Sequence, residues 1–154
     1  LLAEILLAYN SDRSAIHAFK VQYPTYDEKG TLNPHSQWIV SHDIKDHANY
    51  DGRKIMALGF GGILYPPHAL DNDVFDEEAF RKLCPYADDI WFFAMALKQD
   101  TPRKHVSENN VSYYPLDTLY QLFHSNAALQ SINVAQGRND LQMKDVLEYY
   151  KLNL

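Results

Sequence analysis

The chain has 154 residues, 46% hydrophobic and 22% charged, a size and balance that suit one domain with a real core. Twenty acidic against 14 basic residues leave a formal charge of −6, which argues against a nucleic-acid-binding surface, because such surfaces need a basic footprint. No run of 18 apolar residues is present to span a bilayer, and Cys84, the only cysteine, excludes an intrachain disulfide and a cysteine-rich zinc site.

Leu1, Leu2, Ile5, Leu6 and Tyr9 share one helical face, so residues 1–10 read as a helix closed by Asn10-Ser11-Asp12. The sequence opens inside this helix with no initiator Met, and the expectation is a piece of a longer protein. Residues 15–21 alternate well enough for a strand. Tyr23 to Gly30 and then Asn33-Pro34 carry turn chemistry, which makes a long, polar, tyrosine-bearing loop of the kind that often contacts substrate. A short strand is expected around Trp38-Ile39-Val40 and a stronger one over 54–58, leading into Gly59-Phe60-Gly61-Gly62. Three glycines within four positions let the backbone turn sharply and approach a ligand closely, since no Cβ intervenes.

Ile63-Leu64-Tyr65 reads as a buried strand that Pro66-Pro67 ends by removing ladder donors. An acidic loop over 71–76 precedes a helix over 75–83, whose first-turn acids (Asp76, Glu77, Glu78) and last-turn bases (Arg81, Lys82) complement the helix dipole. A second helix over 87–97 carries a broad apolar stripe of Ile90, Trp91, Phe93, Ala94 and Leu97. Short strands over 104–106 and 111–114 flank a turn at 108–110, a helix is expected over 116–123, and an amphipathic helix over 139–150 closes the chain. The fold class is therefore α/β: a small mixed sheet from segments near 15–21, 54–58, 63–65 and 104–114, covered by helices, in a single domain.

Asp88 and Asp89 lead the chemistry. Successive side chains on a helix diverge by about 100°, so one carboxylate is free to cap the helix while the other points into a cleft. The plainer alternative makes Asp88 an N-cap and Asp89 a first-turn acid. His42 and His47 lie close enough in sequence to suggest a zinc pair, but the glutamate of a zinc-protease helix is missing and Asp51-Gly52 signals a turn; a solvated loop is preferred and no metal site is assigned. Of the remaining histidines, only His68 stands beside the glycine turn, as a ligand or phosphate contact. Asn139-Asp140-Leu141-Gln142 is close to a capping box, with a polar tip in the same cleft as its functional alternative. Cys84 has no evident base beside it in sequence.

Four blocks carry a resemblance. Phe60-Gly61-Gly62-Ile63-Leu64-Tyr65-Pro66-Pro67, Phe75-Asp76-Glu77-Glu78, Leu83-Cys84-Pro85-Tyr86-Ala87-Asp88-Asp89-Ile90-Trp91 and Asn139-Asp140-Leu141-Gln142 resemble, in the same order, bacterial glycosyltransferases of the GT-A, family-2-like type that build capsule, lipopolysaccharide and other surface glycans. The resemblance covers nearly the whole chain, and it rests on the glycine-Tyr-Pro-Pro and Ala-Asp-Asp-Ile-Trp blocks taken together. It implies transfer of a sugar from a nucleotide-sugar donor to a hydroxyl of a growing glycan. In inverting enzymes of this kind a carboxylate acts as general base on the acceptor hydroxyl, a role that falls here on Asp89, with Asp88 the alternative. The same resemblance puts Gly59, Gly61 and Gly62 beneath the donor or acceptor sugar, and Tyr65 and Trp91 among the substrate-binding residues, with Trp91 supporting the pocket wall.

Such enzymes also hold a divalent metal, Mg or Mn, on the donor diphosphate through an Asp-x-Asp motif in a nucleotide-binding first half. Asp71-Asn72-Asp73 has those letters but falls in a loop after Pro66-Pro67. The resemblance thus implies the C-terminal, acceptor-side portion of an enzyme, without a metal of its own, working in the cytoplasm at the inner membrane face with peripheral membrane association of the complete enzyme. A non-catalytic carbohydrate-binding or assembly module on the same scaffold is the rival expectation, and a metal-dependent hydrolase using His42 and His47 a third.

Overall fold

A computed structural model describes residues 2–41, 50–106 and 137–154. The expected strand over 111–114, turn at 108–110 and helix over 116–123 lie outside the described residues, as do His42 and His47. The described part is mixed α/β, with helices α1 (Leu2–Ser11), α2 (Glu77–Leu83), α3 (Asp88–Lys98) and α4 (Arg138–Tyr150). Its strands are β1 (Ile16–Ala18), β2 (Val21–Tyr23), β3 (Ile39–Val40), β4 (Met56–Ala57), β5 (Ile63–Leu64) and β6 (Arg103–His105).

One small sheet was expected over 15–21 and its partners; two three-stranded sheets are found. In the first, β1 pairs antiparallel with β5 and parallel with β6, with His17 opposite Leu64 and Lys104. In the second, β2 pairs antiparallel with both β3 and β4. The single strand of the sequence reading breaks at Phe19-Lys20. The bend has a neighbour that fits it: a Cβ on Gly61 would stand 2.5 Å from Lys20 Cβ, so the glycine turn presses against the chain at that point. Phe19 N–H donates to Gly62 O and Leu58 N–H to Lys20 O, which fastens the bend to the turn.

Helix α3 is the core element. Its side chains Ile90, Trp91, Phe93, Ala94, Met95 and Ala96 are all buried, and its cluster includes Met56 of β4, Trp38, Leu83 of α2, and Met143 and Val146 of α4. The 3.6-residue period that predicts this stripe also explains why both sheets and both flanking helices can use it. Helix α2 starts two residues later than expected: Asp76 is its cap, accepting from Ala79 N–H at 2.9 Å, and Phe75 ends a 3-10 turn over Asn72–Phe75 with its ring 86% exposed. In α1 only Ile5 is buried.

The most unusual core residue is Arg103, only 1% exposed. Its Nε donates to Ile55 O at 2.7 Å, Nη1 to Thr101 O at 2.8 Å and Nη2 to Arg53 O, while the guanidinium lies 4.9 Å from the Phe93 ring centroid. Burial pulls its pKa down to about 10, so it stays charged at neutral pH. The fork therefore ties the segment entering β4 to the segment entering β6. Arg103→Met should leave three carbonyls without these donors and destabilise the fold by roughly 3 kcal/mol or more. Arg103→Lys should recover part of the loss, because a single ammonium keeps the charge without the planar fork. Urea denaturation of the two variants measures both steps.

Candidate functional site

Gly59–Gly61 forms a 3-10 turn directly after β4, and Gly62 follows with φ 93°, a conformation that side chains rarely adopt. Asp89, in the first turn of α3, reaches this turn: its Oδ1 accepts from Gly59 N–H at 2.8 Å. A Cβ on Gly59 would lie 2.9 Å from that oxygen, so the absence of a side chain there is what admits the carboxylate. Asp88 is exposed and its Oδ1 accepts from Asp89 N–H at 3.0 Å. Neither aspartate is the N-cap. That position belongs to Ala87, whose side chain makes no capping bond, so the reading of Asp88 as an N-cap is corrected. Asp89 instead caps a different element from its own helix.

The electrostatics follow from this placement. Burial raises the Asp89 pKa above the usual carboxylate value; the Gly59 N–H opposes the rise and the neighbouring Asp88 charge adds to it. Tyr65, 36% exposed, has its ring 5.9 Å from that of Phe92 on α3. Its hydroxyl is pushed well above the ordinary phenol range by burial first and then by the Asp89 and Asp88 carboxylates, with Arg103 opposing. Tyr65 is therefore a neutral phenol at physiological pH, able to donate. Phe60, 71% exposed, stands on the same turn as Gly59 and adds an open aromatic face.

Two expected site residues lie elsewhere. Trp91 is 2% exposed, its ring 5.7 Å from Phe80 and 6.1 Å from Tyr150, and its Nε1–H donates to Val74 O. It faces the core on the apolar stripe of α3, so it supports the helix and does not form a wall that substrate touches. His68 is exposed with φ 62°, and its carbonyl accepts from the side chain of Gln99, the C-cap of α3. Asp89 lies at the other end of that helix, roughly 15 Å away at the usual rise per residue. Pro66-Pro67 carries the chain along α3 and away from the carboxylates.

The entrance of α4 also departs from the sequence reading. Its N-cap is Gly137, with φ 64° and no side-chain bond, so Asn139 and Gln142 do not form a capping box. Gln142 is buried and works at long range: Oε1 accepts from Tyr86 N–H at 2.9 Å and Nε2 donates to Arg138 O at 3.1 Å. It holds the turn that leads into Asp88-Asp89, a positioning role whose only sequence signal is a polar residue on the apolar side of α4. Asn139 Nδ2 meets His35 Nδ1 at 3.4 Å, and Asp140 Oδ1 accepts from His35 N–H at 2.6 Å. Cys84 is fully buried and its thiol is pushed up to about 12, in keeping with an inert core residue.

The residues described do not fit a divalent metal. Lys98 Nζ bonds Asp71 Oδ1 at 2.9 Å and also Asp73 Oδ2, and lies 4.9 Å from the Tyr150 ring centroid. One ammonium thus bridges the two carboxylates of Asp71-Asn72-Asp73, at the opposite end of α3 from Asp89. Among the described residues no group of three His, Cys, Asp or Glu is arranged to hold a metal ion, and no helix is long and apolar enough to cross a membrane. No family model matches the sequence, and neither the curated proteins nor the solved structures compared with it give a match.

The glycine turn makes a graded prediction. A methyl at Gly61 would fall 2.4 Å from Lys20 Cγ and 3.0 Å from Lys20 N, so part of the clash is with backbone. Gly61→Ala should lose about 1 to 3 kcal/mol of stability, the usual range for overpacking. Gly59→Ala meets only the Asp89 carboxylate and should cost less, while moving that oxygen off the Gly59 amide. Equilibrium unfolding gives the order of stability, and the Gly59 amide chemical shift reports the displaced carboxylate.

Proposed function

We propose that this chain is the acceptor-side part of a glycosyltransferase that moves a sugar from a nucleotide-sugar donor to a hydroxyl of a bacterial surface glycan. The observation that carries the reading is Asp89, a half-buried carboxylate pinned on the Gly59 amide with its pKa raised by burial. General-base catalysis needs a fixed acceptor for the hydroxyl proton, with a pKa nearer the working pH than a free aspartate has. Oδ1 of Asp89 is engaged by the amide, so Oδ2 is the atom that takes the proton from the acceptor hydroxyl. Tyr65, whose phenol feels the Asp89 charge, supplies a neutral donor, and the open ring of Phe60 offers the kind of apolar face on which a sugar packs. The order of the glycine-Tyr-Pro-Pro and Ala-Asp-Asp-Ile-Trp blocks supports the same assignment.

In the complete enzyme the donor diphosphate and its divalent metal would be held outside the residues described, since Asp71 and Asp73 are already committed to Lys98. No step at Asp89 depends on that group. The cytoplasmic face of the inner membrane is the setting this reading implies.

A carbohydrate-binding module remains the rival, because the Asp89 to Gly59 bond would also serve as a purely structural tie. Asp89→Asn separates the two. An asparagine oxygen still accepts from the Gly59 amide, so the fold should be kept, while the base is lost. Nucleoside diphosphate release by the complete enzyme should fall by roughly 10² to 10⁴, with the melting temperature little changed. Undiminished turnover in this variant would overturn the proposal. The pH profile adds a check with a definite sign: the base works only when deprotonated and its pKa is raised, so activity should fall on acidification at a pH above the ordinary aspartate value of about 3.9.

A further inference from the structure

A cleft of about 250 Å³ opens beside the second sheet, and neither Asp88 nor Asp89 lines it. Tyr23, Tyr26 and Tyr50 line it together with Asp51 and Lys54. We propose that this cleft is a subsite for one pyranose ring of the glycan, an inference that rests on the glycosyltransferase reading and places a sugar unit other than the one bearing the reacting hydroxyl.

The size is the first argument. Pockets that enclose drug-sized ligands run from about 300 to 1,000 Å³, so this one suits a single ring and not an extended chain. The chemistry of the walls is the second. Tyr23 and Tyr50 form a rigid corner, their ring centroids 4.3 Å apart and tilted by 50°. Tyr26 is held by a bridge to Leu32, and Lys54 Nζ lies 5.4 Å from its ring centroid. Ring faces of this kind take the C–H face of a sugar, and phenols, a carboxylate and an ammonium around them address its hydroxyls. The Tyr23 hydroxyl is pushed up to about 12 by burial and then by Tyr50, and that of Tyr26 is raised by burial and then by Asp51. Tyr26, partly exposed, remains a donor at physiological pH, while the fully buried Tyr23 stiffens the wall behind Tyr50.

The charges narrow the ligand further. One carboxylate and one ammonium stand in the same cleft, which suits a neutral polyol better than a phosphate. Aromatic walls with polar tips suit it better than an acyl chain. A larger cleft of about 450 Å³, between the His35–Gln37 turn and α4, is walled mainly by apolar side chains such as Leu32, Trp38, Met143 and Leu147, and nothing in the structure shows what covers it.

Connectivity relates the tyrosine cleft to the carboxylates. Lys54 and Gly59 are joined through β4, and five residues of chain span at most about 18 Å. A glycan a few rings long therefore reaches from the tyrosines to Asp89.

The test titrates the purified chain with glucose, galactose, N-acetylglucosamine and oligosaccharides of two to four hexoses, with uridine and guanosine as counter-probes, and follows labelled tyrosine resonances. Oligosaccharide should shift Tyr26 and Tyr50. Tyr26→Ala should weaken binding about tenfold, a loss of the size expected for one aromatic face. Tyr26→Phe should keep most of the affinity, and Lys54→Met should weaken it severalfold without touching the core. Equal affinity in Tyr26→Ala and Lys54→Met, no sugar binding at all, or nucleosides bound in preference to sugars would each overturn the subsite. Parallel work with Asp89→Asn separates the two readings. Sugar binding that depends on Tyr26, beside turnover that ignores Asp89, would keep the subsite and remove the transferase. Turnover that needs Asp89, with sugar binding indifferent to Tyr26 and Lys54, would do the reverse.

Discussion

The buried guanidinium of Arg103 is the constraint on which the described fold most depends. A charge in the interior is costly unless its donors are bonded, and here three backbone carbonyls from two segments take one bond from each of its three nitrogens. The arrangement is reciprocal: the carbonyls of Arg53, Ile55 and Thr101 gain partners that no regular ladder supplies. Around the same point the backbone is close to itself. Arg103 N–H donates to Gly52 O at 2.8 Å, and a Cβ on Gly52 would stand 2.9 Å from Arg103 O. Since β4 runs on from this clamp into the glycine turn, the position of Gly59 is inherited from Arg103.

The carboxylate site is assembled in the same manner, from parts that are weak alone. Gly59 lies after β4, Tyr65 after β5, Asp88 and Asp89 at the head of α3, and Gln142 on α4. No two of these elements are joined by a simple hairpin. What brings them together is the apolar stripe of α3, which fixes the helix, and a few directed bonds at its N-terminal end, which fix the polar groups. The other end of the same helix carries the Asp71, Asp73 and Lys98 cluster, so α3 separates two acidic regions with opposite fates. One is bridged by a lysine. The other has a backbone amide as its partner.

The helices were legible in the sequence because their signals are local. The apolar period of α3, the acidic start of α2 and the stripe of α4 appear within a few residues of where they were expected. The carboxylate pair and its neighbouring glycine turn were legible for the same reason, since residue type and spacing announce them. What could not be read is everything decided at long range. Five consecutive buried residues from Ala15 to Phe19 look like the start of one strand, and only Gly61 packing against Lys20 shows that two sheets share it. Gln142 looks like half of a capping box until Tyr86, 56 positions away, is seen to take its oxygen. Nothing local marks Arg103 as buried, and nothing local distinguishes Trp91 facing the core from Trp91 facing a cleft. His68 shows that closeness along the chain is a poor guide where two prolines redirect it.

The partner of Asp89 is a main-chain amide, and this makes the site depend on what is missing at position 59. Every residue but proline supplies that amide, yet a side chain at position 59 would crowd the carboxylate oxygen, so glycine alone offers donor and space together. Selection acts there on volume alone. Phe60, exposed on the same turn, is under no such constraint, and its side chain can change while the carboxylate stays where it is. The turn thus separates the residue that fixes the carboxylate from the one that presents a surface beside it.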